Sequence, residues 1–505
     1  MRLVRIASRQ SDLARLQAYL VGQALQKNFP DLEIQFQFRE SLGDQNQHDP
    51  LWKMPQKGVF TEDFLQDLRD EKADLVVHSW KDLPTENRPD TEVVATLQRA
   101  DQRDFLLLKP SARGHSQLRI LSSSPRRAHN LSDFLPAVMP WVCKTVEFAN
   151  IRGNIPTRIR KWLESDADGL ILAKAAIDRL LASESLAQAE EFRPVRELLK
   201  TVLAEQLWMV LPLSINPNAA AQGALALEIK KGRTDVRKLL ESLNVSADFT
   251  AVQAERQRLS QLGGGCHQKI GVAVLARANG EVYWERGRTE AGVDLARSEW
   301  RNSHKPPQFT ATQLWSLPET AQSQIVRSEV SAELNLPSEN CGVWVARASA
   351  WPKRIQPAPK LVWTAGLQTW RSLAERGVWV QGCSEGLGEN EDTRVQNLVA
   401  ISEWVKLTHS DRGGDSTLAT YKLDLSRVDW KIQSQHQFFY WRSGSQFRSA
   451  LAAAPQIRAL WHASGPGLTH QTLVKELGDQ KVFVFLHEED WRTQCQLDPT
   501  PLKPV

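Results

Sequence analysis

The chain has 505 residues, 41% of them hydrophobic and 24% charged, with a formal net charge of +4. That is the composition of a globular protein of about three or four domains, and so mild a charge argues against a nucleic-acid partner. Five cysteines without a CxxC pair argue against a disulfide framework or a zinc site, and the absence of a long apolar run or a signal-like start points to a cytoplasmic protein with no membrane partner.

Residues 4–7 read as a strand, 8–11 as a turn, and Leu13, Leu16, Gln17, Leu20 and Leu25 as one face of a helix capped by Ser11. Residues 32–38 alternate like a strand, 60–68 repeat like a helix, and 74–78 form a short buried-type strand. The pattern restarts after about residue 103. Strands are expected at 105–108, 118–121, 143–148 and 169–173, and helices at 125–131, 155–163 and 174–181. Alternating strands and helices predict two α/β units with mostly parallel sheets, hinged about a cleft, where ligands meet the carboxyl ends of strands. A third unit begins near residue 233, with helices at 235–243 and 248–262. Strands at 270–276 and 281–285 flank the hairpin turn Asn279-Gly280. A helix at 318–326 and a linker near 335–340 lead into a tryptophan-rich segment whose indoles read as packing groups.

Several places could carry chemistry. Gly263-Gly264-Gly265-Cys266 follows a long helix, so the backbone can turn sharply and leave the thiol approachable. The alternative is a small buried hydrophobe after a helix C-cap. Lys81 and Asp82 follow a strand, where a carboxylate could stabilise a developing cation or shuttle a proton; a turn-forming Asp beside a solvated Lys is the plainer reading. Ser122, Ser123, Ser124, Arg126 and Arg127 open a helix after the next unit's strand, a natural anion site. Arg152 and Arg158 repeat that logic after another strand, and guanidinium forks suit carboxylates. Arg179 is weaker. Lys53, Lys57 and Phe60 lie in a basic segment that is either a solvated loop or a lid over an anionic site.

Taken in order, these motifs resemble the porphobilinogen deaminases. The match runs through Arg5-Ile6-Ala7-Ser8-Arg9-Gln10-Ser11, Lys57-Gly58-Val59-Phe60, Val77-His78-Ser79-Trp80-Lys81-Asp82, Ser123-Ser124-Pro125-Arg126-Arg127, Arg152-Gly153-Asn154-Ile155-Pro156-Thr157-Arg158, Ala221-Gln222-Gly223-Ala224 and Leu262-Gly263-Gly264-Gly265-Cys266. It covers about residues 1–330. The resemblance implies an α/β fold of two doubly wound, periplasmic-binding-protein-like lobes: 1–100 with 203–230, and 101–202. It adds a small α+β domain at 231–330 that carries the cofactor cysteine. It implies a transferase that joins four porphobilinogen molecules and releases hydroxymethylbilane and ammonia. A dipyrromethane cofactor would be linked to Cys266, with Asp82 as the catalytic carboxylate. Lys81, Ser122, Ser123, Ser124, Arg126 and Arg127 would hold the cofactor. Arg9, Ser11, Gln17, Arg152, Arg158 and Arg179 would bind substrate, with Lys53, Lys57 and Phe60 as lid and no metal. A monomer is expected, with transient contact to uroporphyrinogen-III synthase. The alternatives are a bifunctional deaminase plus uroporphyrinogen-III synthase and a non-catalytic two-lobed carboxylate-binding protein. Leu42, Leu121 and Lys269 depart from the family's usual residues.

The segment 340–505 resembles part of uroporphyrinogen-III synthase. The likeness is carried by Trp363-Thr364-Ala365-Gly366, the stretch 373–380, Phe439-Tyr440-Trp441-Arg442-Ser443-Gly444-Ser445 and Ala463-Ser464-Gly465-Pro466-Gly467-Leu468-Thr469. Its length predicts an extra α/β domain that lacks much of one lobe and has no activity of its own.

Overall fold

The computed structural model describes residues 3–40, 62–264, 268–329, 333–409 and 417–497. Cys266, the lid residues Lys53, Lys57 and Phe60, and Leu42 lie outside the described residues.

Ten short strands form two five-stranded sheets of the same plan. The first sheet takes β1 (Leu3–Arg9), β2 (Glu33–Arg39), β3 (Leu75–Ser79), β4 (Thr91–Ala95) and β10 (Leu225–Lys230), in the order β2-β1-β3-β10-β4. The second takes β5 (Asp104–Leu108), β6 (Gln117–Leu121), β7 (Thr145–Ala149), β8 (Gly169–Ala173) and β9 (Leu207–Leu211), in the order β7-β6-β8-β5-β9. β5 and β8 are buried at every position, which is why they read as continuous apolar runs rather than alternating ones.

The sheets are mostly parallel in direction, as expected, but each holds one reversed strand. β1 runs parallel to β2 and β3, but β10 runs antiparallel to β3 and β4. In the second sheet β6 is parallel to β7 and β8, while β5 is antiparallel to β8 and β9. The reversed strand in each sheet adjoins a crossover between the sheets, β4 to β5 or β9 to β10. Strand direction there is set by the crossover, which leaves no periodic signal.

The helix Asp12–Asn28 buries Ala18, Val21 and Leu25 against the first sheet. Val236 and Leu240, from the helix Thr234–Glu241, join the same core. That helix therefore packs with the first sheet rather than with the third unit. Beyond it lie the helix Ser246–Gln261 and a sheet of Gly271–Arg277, Gly280–Arg288 and Asp294–Asn302. The last strand is largely polar and half exposed, so it carried no apolar alternation to read.

The chain divides into two compact units. One comprises the described residues of Met1–Ala276, Trp284–Ala296 and Arg394–Val399; the other comprises those of Arg277–Tyr283, Arg297–Thr393 and Ala400–Val505. The second unit contains a parallel sheet of Leu314–Ser316, Phe438–Trp441, Trp461–Ser464 and Val482–Val484. It also contains a six-stranded sheet centred on Glu403–His409 and Cys341–Val345. Leu314–Ser316 belongs to the C-terminal sheet, so the boundary expected between residues 330 and 340 falls too late. The expectation of a segment lacking much of one lobe also differs from the two sheets present. Trp315, Trp363, Trp370, Trp441 and Trp491 are all buried, as packing groups should be.

Candidate functional site

β3 runs directly into a single 3-10 turn, Trp80–Asp82, which carries Lys81 and Asp82 past the carboxyl end of the first sheet. The turn is pinned from both sides. Trp80 N donates to Ala224 O at 3.0 Å. Arg256, on the helix Ser246–Gln261, donates to Trp80 O (3.3 Å), Leu83 O (3.1 Å) and Pro84 O, with its guanidinium 6.0 Å from the Trp80 ring centre. Asp82 itself is exposed and makes no hydrogen bond among the described residues. The backbone is fixed while the carboxylate stays available.

Lys81 leads into a buried polar cluster. Its Nζ donates to Gln222 Oε1 at 3.2 Å, and the Gln222 amide donates to Asp104 Oδ1 at 2.9 Å and Gln102 O at 2.8 Å. Asp104, 1% exposed, opens β5. Arg127 Nη2 donates to its Oδ1 at 2.7 Å, and Arg126 Nη2 and Asn216 Nδ2 donate to its Oδ2, each at 2.8 Å. Burial alone would raise the Asp104 pKa, but the charges of Arg127 and Arg126 hold it far below the usual carboxylate range. Burial lowers the Lys81 ammonium, with Asp82 opposing.

The two arginines are committed differently. Arg126 Nη1 donates to Asn216 Oδ1 and Pro217 O, both at 2.7 Å, so both its Nη atoms are taken by protein. Arg127 Nη1 donates to Ile171 O at 3.1 Å, while its buried Nε has no partner among the described residues. The serines set up this corner. Ser124 caps Pro125–Leu131 by accepting from Arg127 N (3.4 Å), Ser122 Oγ accepts from Ser124 N (3.3 Å), and Ser123 Oγ donates to Ile151 O. The serine and arginine side chains thus shape one another rather than form a simple open anion cup. Leu121, one of the departures from the family's usual residues, ends β6 in the core.

Arg152 and Arg158 flank the start of Ile155–Glu164, where Arg158 Nε donates to Gly153 O at 2.7 Å. Burial and the like charges of Arg127 and Arg152 together lower the Arg158 pKa to about 10, against the opposing charge of Asp82. Those couplings bring Asp82 and three arginines, from two further motifs, into one electrostatic neighbourhood. Arg179 Nη2 donates to Gly223 O at 2.6 Å, and burial lowers its pKa to about 10. Arg9 ends β1 and Ser11 sits at the N-cap of Asp12–Asn28, where its hydroxyl makes no capping bond. Gln17 is buried on that helix, only 3% exposed.

The glycine loop begins as its sequence suggests. Gly263 N bonds to Ser260 O at 3.1 Å and Gly264 N to Leu259 O at 2.9 Å, closing the helix with both glycines at positive φ (98° and 59°). A Cβ at Gly264 would come within 3.0 Å of Thr85 Oγ1. The end of this helix therefore lies against Thr85, three residues after Asp82 in the sequence, and Cys266 follows Gly264 by two residues in the sequence.

Sequence reasoning missed the residues that hold the site together. Glu255, fully buried, accepts from Arg99 Nη1 and Nη2 (2.9 and 2.8 Å), Ala221 N (2.8 Å), Val274 N (2.9 Å) and Asn218 Nδ2 (3.1 Å). It ties the helix leading to Cys266 to both crossovers. Asp104, Asn216 and Arg99 were also missed, and Gln222 stood out only within the motif Ala221-Gln222-Gly223-Ala224. The available signal was a charge opening an otherwise apolar strand, as in Asp104 before Phe105–Leu108, because such a charge must be paired when buried.

Among the described residues no group of three or more His, Cys, Asp or Glu is placed to hold a metal ion, and no helix is long and apolar enough to cross a membrane. The family model described as "Porphobilinogen deaminase, dipyromethane cofactor binding domain" matches residues 4–238. The porphobilinogen deaminase of Syntrophomonas wolfei is 36% identical over 57% of this chain and 85% of its own. That of Desulfitobacterium hafniense is 34% identical over 53% of this chain and 79% of its own. That of Roseiflexus sp. is 32% identical over 56% and 84%. With a turn that presents Asp82, a buried arginine cluster beside it and relatives matched over most of their length, the chain belongs to the porphobilinogen deaminase family.

Proposed function

We propose that this chain is a hydroxymethylbilane synthase, which joins four porphobilinogen molecules with loss of ammonia and releases the linear tetrapyrrole with water. The observation that carries the reading is the grouping of Asp82 with Arg127, Arg152 and Arg158, together with the placement of Gly264, two residues before Cys266 in the sequence, against Thr85. We read the two matching sheets as the lobes of a periplasmic-binding-protein-like clamp. The residues suit a carboxylate-bearing dipyrromethane linked to Cys266: an unpartnered buried Arg127 Nε and an excess of guanidinium over carboxylate both call for an acceptor. When bound, that group supplies the pyrrole carbon from which the chain is extended.

The chain's own residues do the rest. Lys81, Arg127 and the serines 122–124 line the side that holds the cofactor's acid groups, with Arg126 as their strut. Arg9, Ser11, Gln17, Arg152, Arg158 and Arg179 bind the acetate and propionate arms of incoming porphobilinogen. Asp82 places a carboxylate at the pyrrole nitrogen as ammonia departs, where it stabilises the developing positive charge. Lys53, Lys57 and Phe60 serve as lid. The test is intact-mass measurement of the purified chain. A mass increment of one dipyrromethane, absent in Cys266→Ser, supports the reading. An unmodified chain that is fully active overturns it.

A second reading is favoured by the second unit. A cleft of about 220 Å³ there is lined from both sheets, by Arg327, Arg347, His409, Tyr421, Arg442 and Ser443 among others. Neither the Arg327 nor the Arg347 guanidinium has a hydrogen-bond or carboxylate partner among the described residues. Burial and the Arg347 charge lower the Arg327 pKa. A cleft with two unpaired guanidinium groups suits an acidic tetrapyrrole, so we infer a uroporphyrinogen-III-synthase-like unit that closes the ring, in place of the inactive tail expected from sequence. Full-length protein fed porphobilinogen should then give a clear excess of uroporphyrinogen III. Uroporphyrinogen I alone, the product of spontaneous closure, would eliminate this second reading.

A further inference from the structure

We propose that Asp104 is the positioning residue of the arginine pair: it holds Arg126 and Arg127 so that Arg127 Nε is kept for a carboxylate of the cysteine-linked group. This rests on the deaminase reading above. Both Asp104 oxygens are saturated, each accepting from one guanidinium and one side-chain amide: Arg127 and Gln222 on Oδ1, Arg126 and Asn216 on Oδ2. No orientation of an Asn side chain could replace it, because its NH2 would face donors whichever way it turned. Asp104 thereby fixes Nη2 of Arg127 at 2.7 Å, and Ile171 O fixes Nη1 at 3.1 Å. Only Nε is left, buried and unpartnered.

A buried donor without an acceptor is destabilising, so this pose is favoured once an acceptor arrives. The charge count points the same way. One carboxylate faces two guanidinium groups and, through Gln222, the Lys81 ammonium. A ligand carboxylate supplies the missing negative charge. The same amide that orients Asp104 also holds Lys81, the neighbour of Asp82, so the network spans both crossovers and reaches the catalytic turn.

The test compares Asp104→Asn, Asp104→Glu and Asn216→Ala with the unaltered full chain. Each is read by intact mass for cofactor loading, by KM and kcat for porphobilinogen in the loaded fraction, and by thermal melting. Asp104→Asn should load at least tenfold fewer chains, and the loaded remainder should show KM raised at least fivefold with kcat within twofold. Asp104→Glu should recover part of the loading. Asn216→Ala keeps the charge but removes one donor to Asp104 and one acceptor from Arg126; it should load about threefold less. A merely structural residue would lower the melting temperature and leave KM unchanged. Full loading with normal KM in Asp104→Asn, or in Asn216→Ala if the former does not fold, overturns the proposal. Absence of the mass increment in the unaltered chain overturns the deaminase reading itself, and the proposal with it.

Discussion

Glu255→Gln should destabilise the first unit by about 3–5 kcal/mol, the usual cost of breaking a buried ion pair from one side. Glu255 is 0% exposed and the Arg99 side chain 4%. The carboxylate takes five hydrogen bonds: two from Arg99, two from backbone amides and one from Asn218. A Gln amide can keep the acceptors on one oxygen only. Turned one way its NH2 meets Arg99 Nη1 and Val274 N; turned the other it meets Arg99 Nη2, Ala221 N and Asn218 Nδ2. Either way at least two donors lose their acceptor, and Arg99 keeps a buried charge with no counter-charge beside it. For a unit of this size each kcal/mol shifts the melting temperature by roughly 2–4 °C, so a drop of about 6–20 °C is expected by calorimetry. The double variant Arg99→Met with Glu255→Met should be less damaging than the sum of the singles, because it removes the stranded charge. The helix of Glu255 ends in the glycine loop, so cofactor loading by intact mass should fall as well. A loss below about 1 kcal/mol, or strict additivity in the double variant, would refute the claim that this pair anchors the helix.

Asp82→Asn should retain the fold and porphobilinogen binding but lose turnover by at least about a hundredfold, as expected on removal of a preorganised charge partner; single-turnover ammonia release is the measurement, and near-normal rates would make the carboxylate structural. Burial raises the Glu228 pKa, but His78 Nε2 at 3.0 Å, the Arg88 guanidinium and the Thr91 hydroxyl more than offset it and hold the group at about 2. Its folded pKa lies below the unfolded value, so its contribution is present above about pH 4.5 and is lost as pH falls toward about 2. Urea denaturation of Glu228→Gln across that range should show a shallower pH dependence than the parent, and identical slopes would count against the assignment. Arg327→Leu should cut the uroporphyrinogen III share of the product while porphobilinogen consumption is unchanged, as read by isomer chromatography; an unchanged isomer ratio would remove Arg327 from the second unit's cleft.

Much of the first unit was legible because its signals are local. Residues 125–131, 169–173 and 174–181 have the bounds read from sequence, since a serine cap with proline at the first turn, or an unbroken apolar run, specifies its own ends. The glycines at 263–264 likewise announced a reversal that only residues tolerant of positive φ make cheaply. Asp82, the arginines and the serine turn were found by the same logic, each at the end of a strand.

What the chain alone did not disclose depends on partners distant in sequence. The reversal of β5 and β10 follows from two crossovers. The strand Leu314–Ser316 finds its partner at Phe438–Trp441, more than a hundred residues later. Asp104 reads as an unremarkable charge until Arg126, Arg127, Asn216 and Gln222 close around it, and Glu255 as one more polar residue on a helix until Arg99 and two backbone amides turn toward it. Local sequence determines where a backbone bends and which groups stand at strand ends. Only tertiary structure decides which buried charges meet, because pairing in a low-dielectric interior depends on three-dimensional distance and not on position along the chain.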